Sequence, residues 1–118
     1  MNNTIVTPGV GTINPDAELN VMKEEITREL TMRIIPFWKS LFDDENGGYY
    51  GWLSYDLKLD REAEKGCILN SRITWFFANA YTLLKDKSLL KEAEHAYTFM
   101  RDKCIDREYG GIFWSVTY

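Results

Sequence analysis

The sequence lacks both a basic surface and a long apolar run. Lys and Arg number 14 against 18 Asp and Glu, which gives a formal net charge of −4 and argues against a nucleic-acid partner. No apolar run approaches the roughly 18 residues that a membrane span needs. The first residues carry neither the positive start nor the apolar core of a secretory signal. We therefore expect a cytoplasmic globular protein with no membrane contact.

Cysteine and histidine are also scarce, with two and one in the chain. Cys67 and Cys104 have no metal-ligand spacing, and two thiols in a short chain fit a reducing compartment. We interpret them as structural and expect no metal site. His95 lies between Glu94 and Ala96, one step from a charged face, which predicts a surface histidine. A single histidine there supports no Ser-His-Asp or Cys-His arrangement.

The 118 residues, 45% of them apolar, are enough for one domain or less. Residues 1–13 are polar and interrupted by Gly and Pro, which predicts a flexible leader. Residues 14–118 are then the folded part. Their pattern is mainly helical, so the predicted fold class is all-α.

A long amphipathic helix is predicted after residue 13. Asn14 and Pro15 form a typical cap and first-turn proline, and Pro36 should kink the helix. A helix from about Ser88 to Lys103 begins after the break at Asp86. The apolar positions of the first helix recur at intervals of three and four, at Leu19, Met22, Ile26, Leu30, Ile34, Phe37 and Leu41.

The central stretch from Gly66 to Leu84 is the most apolar part of the chain. A helix that is apolar over most of its circumference is normally buried. Arg72 interrupts it, and a buried charge needs a partner or a polar cavity. Two interpretations stay open: a structural ion pair with an acidic residue, or an arginine that lines a polar pocket beside Trp75.

An internal repeat organises the chain. Residues 106–118 repeat residues 43–55 at an offset of 63 positions, with Gly110–Gly111 set on Gly47–Gly48, and seven of the thirteen positions match or are close replacements. Each unit is a helix, an acidic Gly-Gly turn and a short aromatic strand. Such repeats form arrays in which neighbours complete one another's core, and helical hairpins of this length suit a closed α/α barrel.

The acidic run Asp43-Asp44-Glu45-Asn46 lacks the spacing of an EF-hand, so we predict a solvated turn. The glycine pairs lack the Lys-Ser/Thr of a phosphate loop. We therefore expect that at least one glycine of each pair has a positive φ.

Three aromatic residues and one arginine are the remaining candidates for chemistry. Flat aromatic faces cover the C–H surfaces of sugars, and a planar group with several donors reaches their oxygens. The predicted substrate-binding residues are Trp52, Tyr55, Arg72 and Trp75.

Five motifs, in order and at matching spacing, resemble the start of the cellobiose 2-epimerases, which belong to the N-acylglucosamine 2-epimerase superfamily. They are Pro-Phe-Trp at 36–38, Asp-Glu-Asn-Gly-Gly-Tyr-Tyr-Gly at 44–51, Lys-Gly-Cys-Ile-Leu-Asn-Ser-Arg-Ile-Thr-Trp-Phe-Phe at 65–77, His-Ala-Tyr at 95–97 and Tyr-Gly-Gly-Ile-Phe-Trp at 109–114.

The resemblance implies the N-terminal part of an (α/α)6 barrel, here incomplete. It also implies epimerisation without a cofactor at C2 of the reducing-end glucose of a β-1,4 disaccharide. The family's arginine maps onto Arg72, which we expect to be catalytic. The two acid–base histidines of the family have no counterpart here, and His95 matches an outer-helix position. We therefore expect the isolated chain to be inactive and to self-associate.

Two rival interpretations remain. An α/α-barrel glycoside hydrolase would need a carboxylate pair across a cleft, and Asp43, Asp44 and Glu45 are clustered in one turn. A non-catalytic carbohydrate-binding or interaction module would use the aromatic residues alone.

Overall fold

The computed structural model describes residues 14–118. The chain divides into two compact units, of which the first ends at Trp38 and the second runs from Lys39 to Tyr118. The predicted flexible leader, residues 1–13, lies outside the described residues. None of the helices formed by residues 14–118 is long and apolar enough to span a membrane.

The first unit is an interrupted helix that begins at the predicted cap. The side-chain oxygen of Asn14 accepts hydrogen bonds from the backbone N–H groups of Asp16 and Ala17, at 3.1 and 3.4 Å. Helix α1 then runs over Pro15–Glu29, a π-helical turn over Leu30–Ile34 and helix α2 over Ile35–Lys39.

The interruption of this helix lies just before Pro36, at the π-helical turn. The N–H of Ile35 donates to the carbonyl of Leu30, five residues back. Pro36 has no N–H to continue the normal bonding pattern, and π-helical turns are an established source of helix irregularity. The apolar side chains of α1 are exposed, among them Leu19, Val21, Met22 and Ile26.

The second unit is built on a hairpin of two helices. Helix α3 spans Cys67–Leu84 and helix α4 spans Lys87–Phe99, continued by a π-helical turn over Met100–Cys104. Lys85 ends α3 in the left-handed conformation, and the Asp86 side chain caps α4 by accepting from the Ser88 N–H at 2.9 Å. The two helices pack against each other. Their buried positions include Ile73, Phe77 and Ala80 on α3, and Leu89, Ala93, Ala96 and Phe99 on α4.

The expectation that α3 is buried over most of its circumference is wrong for this chain. One face is buried, but the opposite face carries Ile68, Trp75 and Leu83, which are 45%, 69% and 71% exposed. This face is an exposed apolar patch, whereas Ile73 and Phe77 on the other side of α3 are buried.

Two short antiparallel sheets complete the unit. Strand β1 (Trp52–Leu53) pairs with β2 (Leu59–Asp60), and β3 (Lys65–Gly66) pairs with β4 (Ser115–Val116). The second pairing returns the end of the chain to the start of α3, where the N–H of Cys67 donates to the carbonyl of Trp114 at 3.0 Å.

The two cysteines are buried thiols in one apolar cluster with Phe99. Burial, together with a hydrogen bond to Cys67, raises the pKa of the Cys104 thiol to about 12. A protonated buried thiol packs as a small apolar group. The structural interpretation of both cysteines is therefore confirmed.

Candidate functional site

The structure confirms the internal repeat in detail. We call residues 43–48 the first Gly-Gly loop and residues 106–111 the second. In the first loop the N–H of Asp43 donates to the carbonyl of Gly48 at 3.0 Å, and the N–H of Gly47 donates to the carbonyl of Asp43 at 3.2 Å. The second loop has the same two bonds, from Asp106 to Gly111 at 2.9 Å and from Gly110 to Asp106 at 3.0 Å.

The first residue of each loop also makes the same side-chain hydrogen bonds. One carboxylate oxygen of Asp43 accepts from the N–H groups two and three residues later, and Asp106 does so in the second loop. All four glycines have φ between 65° and 85°. The prediction that at least one glycine of each pair has a positive φ is therefore confirmed. Glycine is favoured at these positions because positive φ is costly for residues with a Cβ.

The first loop is not the solvated turn that its acidic composition predicted. Asp43 is completely buried, as is Lys65, whose ammonium lies 2.5 Å from the second carboxylate oxygen of Asp43 and 2.7 Å from the carbonyl of Gly47. Burial alone would raise the pKa of Asp43, but the Lys65 ammonium and the backbone N–H groups of Asn46 and Glu45 outweigh it and lower that pKa. Asp44, Glu45 and Asn46 are exposed as expected.

His95 is half-buried, so the prediction of a surface histidine is wrong. Its ring stacks on Phe42 with centroids 3.6 Å apart, and its Nε2 lies 2.8 Å from the carbonyl of Gly48. A carbonyl only accepts, so Nε2 carries the proton and donates it. The ring thereby binds the first loop to α4, a structural role.

Three side chains that hold the first loop in place could not be identified from the sequence, namely Lys65, Asn70 and Glu92. Lys65 and Asn70 lie far from the loop in sequence, and Asn70 accepts from the N–H of Tyr49 at 3.2 Å. The Tyr49 hydroxyl in turn donates to a carboxylate oxygen of Glu92. Burial and this hydrogen bond raise the pKa of Tyr49 above its ordinary range. Together these bonds fix the loop against the helical hairpin.

The candidate residues fall in two places. Arg72 and Trp75 lie one turn apart on the exposed face of α3, and Trp75 is 69% exposed. Trp52, on β1, is 61% exposed, and Tyr55, in the turn of the β1–β2 hairpin, is fully exposed. Within residues 14–118 no hydrogen bond, ring contact or ion pair joins the two places.

Arg72 does not need a buried partner, because it is exposed. Among residues 14–118 its guanidinium forms no ion pair and no hydrogen bond, so the structural ion pair that the sequence left open is not observed. Its helix is nevertheless well anchored, since Cys67, Asn70 and Ile73 are buried on the opposite face. Within the described residues, an exposed guanidinium without a partner, carried by an anchored helix, is available to a ligand.

Acidic residues offer no alternative centre in this structure. In the described part of the chain no three His, Cys, Asp or Glu side chains come together so that they could hold a metal ion. Among residues 14–118 the one fully buried acid is Asp43, and it is paired with Lys65.

Residues 48–118 match the family model described as N-acylglucosamine 2-epimerase. The chain is 56% identical over 98 residues to a cellobiose 2-epimerase of Ruminococcus albus, covering 83% of this chain and 25% of that protein. It is 43% identical over 101 residues to a cellobiose 2-epimerase of Dictyoglomus turgidum, covering 86% of this chain and 26% of the relative. The chain thus spans about a quarter of the length of the curated relatives it matches.

The comparison with solved structures agrees with these sequence matches. A sugar epimerase from a ruminal bacterium superposes with a TM-score of 0.79 at 57% identity, over 81% of this chain and 25% of that one. The cellobiose 2-epimerase from Bacillus thermoamylovorans B4167 gives a TM-score of 0.82 at 44% identity, over 84% of this chain and 26% of that one. These likenesses and the helical architecture confirm the predicted fold class, a portion of an (α/α)6 barrel.

Proposed function

Because this chain belongs to the N-acylglucosamine 2-epimerase family, we propose that it forms the substrate-binding wall of a sugar 2-epimerase that interconverts cellobiose and glucosylmannose. The substrate is a β-1,4-linked disaccharide with a free reducing end. The support is that relatives 40–56% identical to this chain are cellobiose 2-epimerases. The observation that supports the assignment of the site is Arg72, which is exposed, has no partner within residues 14–118 and lies on the same helix face as Trp75.

The chemistry is a proton transfer at C2 of the opened reducing-end sugar. A general base removes the proton from C2, the electron pair of the C–H bond forms the C1–C2 double bond, and the C1 oxygen takes up the negative charge of an enediolate. A general acid then returns a proton to C2 on the opposite face. Acid–base groups at such sites titrate near the working pH, as imidazoles do.

Arg72 would stabilise the oxygens on which negative charge develops. A guanidinium is planar and presents five donors in a fixed geometry. Donors that are in place before the reaction contribute most at the charged transition state, because nothing has to reorganise. The buried face of α3, with Asn70 and Ile73, fixes the backbone from which Arg72 projects.

Three aromatic side chains would bind the sugar rings. Trp75 presents an exposed indole one turn after Arg72, and Trp52 and Tyr55 present exposed rings on the β1–β2 hairpin. Aromatic faces pack on the C–H surfaces of sugars, while their polar tips remain hydrated. In this proposal Trp75 contacts the reducing-end sugar, and the hairpin pair contacts the same disaccharide.

The acid–base groups would come from outside these residues. His95, the single histidine of the sequence, uses its Nε2 proton on the carbonyl of Gly48. We therefore assign the proton transfers to two histidines elsewhere in the complete barrel, as the resemblance implies, and propose no cofactor. The buried thiols Cys67 and Cys104 support a cytoplasmic location.

No specific observation supports either of the two rival interpretations, a glycoside hydrolase or a non-catalytic binding module. A glycoside hydrolase would need two available carboxylates, and Asp43 is bound to buried Lys65. A binding module remains an outcome of the test below.

The test is a chimera in which the 98 matched residues of the Ruminococcus albus enzyme are replaced by the corresponding residues of this chain. We expect the chimera to convert cellobiose to glucosylmannose, measured by chromatography. Release of glucose would favour a hydrolase. Binding of cellobiose without conversion, in a chimera that melts cooperatively, would favour a binding module.

A further inference from the structure

Asn70 is a completely buried polar side chain in the first turn of α3. Its Oδ1 accepts from the N–H of Tyr49 at 3.2 Å, and its Nδ2 donates to the carbonyl of Gly66 at 3.0 Å. Burying an amide is costly unless its polar groups are hydrogen-bonded. Both ends of this amide are bonded, so it joins the residue after the first Gly-Gly loop to the residue from which α3 starts.

The start of α3 is held from its buried side. The N-cap position is occupied by Gly66, which has no side chain that could accept from the first N–H groups of the helix. The N–H of Cys67 donates to the carbonyl of Trp114 at 3.0 Å. Helix ends fray where their backbone groups are not held. Asn70 therefore fixes a first turn that lacks an ordinary cap.

Arg72 depends on the geometry of this first turn. It lies two residues after Asn70 and is exposed on the other face of the helix. Side chains of a helix are directed toward its N-terminus, so Arg72 extends over the turn that contains Ile68, four residues before it. A first turn that moves would move the guanidinium with it.

The proposed chemistry is sensitive to such a movement. A donor at a developing negative charge is effective because its position is fixed before the reaction. A misplacement of about 1 Å that originates far from the reacting atoms can cost about a hundredfold in rate. A buried amide that fixes the first turn of α3 would therefore affect the rate without touching the sugar.

We propose that Asn70 is a positioning residue for Arg72. Its two hydrogen bonds hold the first turn of α3 in the geometry in which the guanidinium meets the oxygens of the reducing-end sugar. The inference rests on the proposed function, because it needs Arg72 to act on a substrate. It assigns a role in the reaction to a buried side chain that acts only through its neighbour.

A double-mutant cycle in the chimera described above tests this role. Asn70→Ala should lower kcat for cellobiose epimerisation about tenfold or more with little change in KM, because an interaction of the transition state is weakened. In an Arg72→Ala background the same substitution should lower kcat by less than about twofold, since residues that act through one group are not additive. A residue with a general structural role would have the same effect in both backgrounds.

Tyr49→Phe is the matched control. It removes the hydrogen bond from the Tyr49 hydroxyl to Glu92 but keeps the N–H that donates to Asn70. It should lower the Tm of the chimera, because the first Gly-Gly loop loses a bond to α4, while kcat for each folded molecule stays unchanged. If Asn70→Ala does not fold, Asn70→Asp replaces it, because the carboxylate keeps the acceptor for Tyr49 and loses the donor to Gly66.

Hydrogen exchange in the isolated chain examines the first turn without any activity. With Asn70→Ala the N–H of Arg72 should exchange about tenfold faster relative to the N–H of Ala80, which lies further along the same helix. Tyr49→Phe should leave this ratio unchanged.

Three results would overturn the proposal. They are a normal kcat for each folded molecule of the Asn70→Ala chimera, additive losses in the double variant, or an exchange ratio at Arg72 that Asn70→Ala does not change. A parent chimera without activity would count against the proposed function. The exchange ratio would then still decide whether Asn70 fixes the turn over which Arg72 extends.

Discussion

Lys65 and Asp43 form an ion pair whose two side chains are completely buried. The pair joins the start of the first Gly-Gly loop to strand β3, which directly precedes the helical hairpin. Removing two charges from water is costly, and the cost is offset only when the geometry and the additional hydrogen bonds are good. Here two backbone N–H groups donate to Asp43, and the Lys65 ammonium also donates to the carbonyl of Gly47.

The pair predicts an acid dependence of stability. Burial opposes ionisation of Asp43, but Lys65 and the loop N–H groups lower its pKa below the ordinary value of 3.8. The stabilisation is therefore present above pH 3.8 and is lost as the pH falls through the pKa of the folded state. Urea unfolding from pH 6 to pH 2.5 should show a smaller loss in Asp43→Asn than in the wild type. Asp44→Asn, a change at an exposed neighbour, should follow the wild type, and identical profiles for all three proteins would contradict the prediction.

Removal of the buried lysine should be far more destabilising than removal of an exposed one. Lys65→Met leaves Asp43 buried without a partner and should lower the free energy of unfolding by about 3–5 kcal/mol. Lys58→Met breaks an exposed pair with Asp56 and should change it by less than about 1 kcal/mol. Equal effects in denaturant titrations would show that burial of the Lys65 pair carries no special cost.

The repeated loops provide a matched pair of glycine substitutions. Gly48 and Gly111 both have positive φ, so alanine at either position costs about 1–3 kcal/mol in backbone strain. A Cβ at Gly48 would lie 2.7 Å from the Phe99 ring, whereas one at Gly111 meets nothing within 4 Å. Gly48→Ala should therefore be more destabilising than Gly111→Ala by a further 1–3 kcal/mol or so. Thermal or urea unfolding measures the difference, and a larger loss for Gly111→Ala would contradict the loop geometry.

The exposed face of α3 predicts self-association of the isolated chain. Ile68, Trp75 and Leu83 form an apolar surface of the kind that mediates protein contacts. Light scattering should give a mass above that of the 13.8 kDa monomer. Leu83→Gln should reduce the association. Leu57→Gln is the control, because Leu57 is equally exposed at 71% but lies in the β1–β2 turn. A monodisperse wild-type monomer would contradict the prediction.

Local sequence signals predicted much of the fold. The Asn14–Pro15 cap, the break at Asp86 and the positive φ of the glycine pairs depend on short-range backbone geometry, and all are present. The helices follow from apolar spacing. The placement of Arg72 and Trp75 on one face of α3 follows from the helical period alone.

Long-range pairing was not predictable in the same way. Lys65 stands in a run of charged residues that is typical of a solvated loop, and its partner lies 22 positions away. His95 was expected at the surface because its sequence neighbours are polar on one side, yet its ring stacks on Phe42. The burial of α3 was overestimated because its apolar pattern does not tell which element covers each face.

The central claim is that Arg72 acts on the substrate, and one substitution tests it most directly. In the chimera, Arg72→Ala should lower kcat for cellobiose epimerisation about a hundredfold or more, as expected for loss of a donor to a developing oxyanion, with little change in Tm. Arg33→Ala, which removes an exposed arginine paired with Glu29 on its own helix, should keep full activity. An Arg72→Ala chimera that turns over normally for each folded molecule would contradict the account.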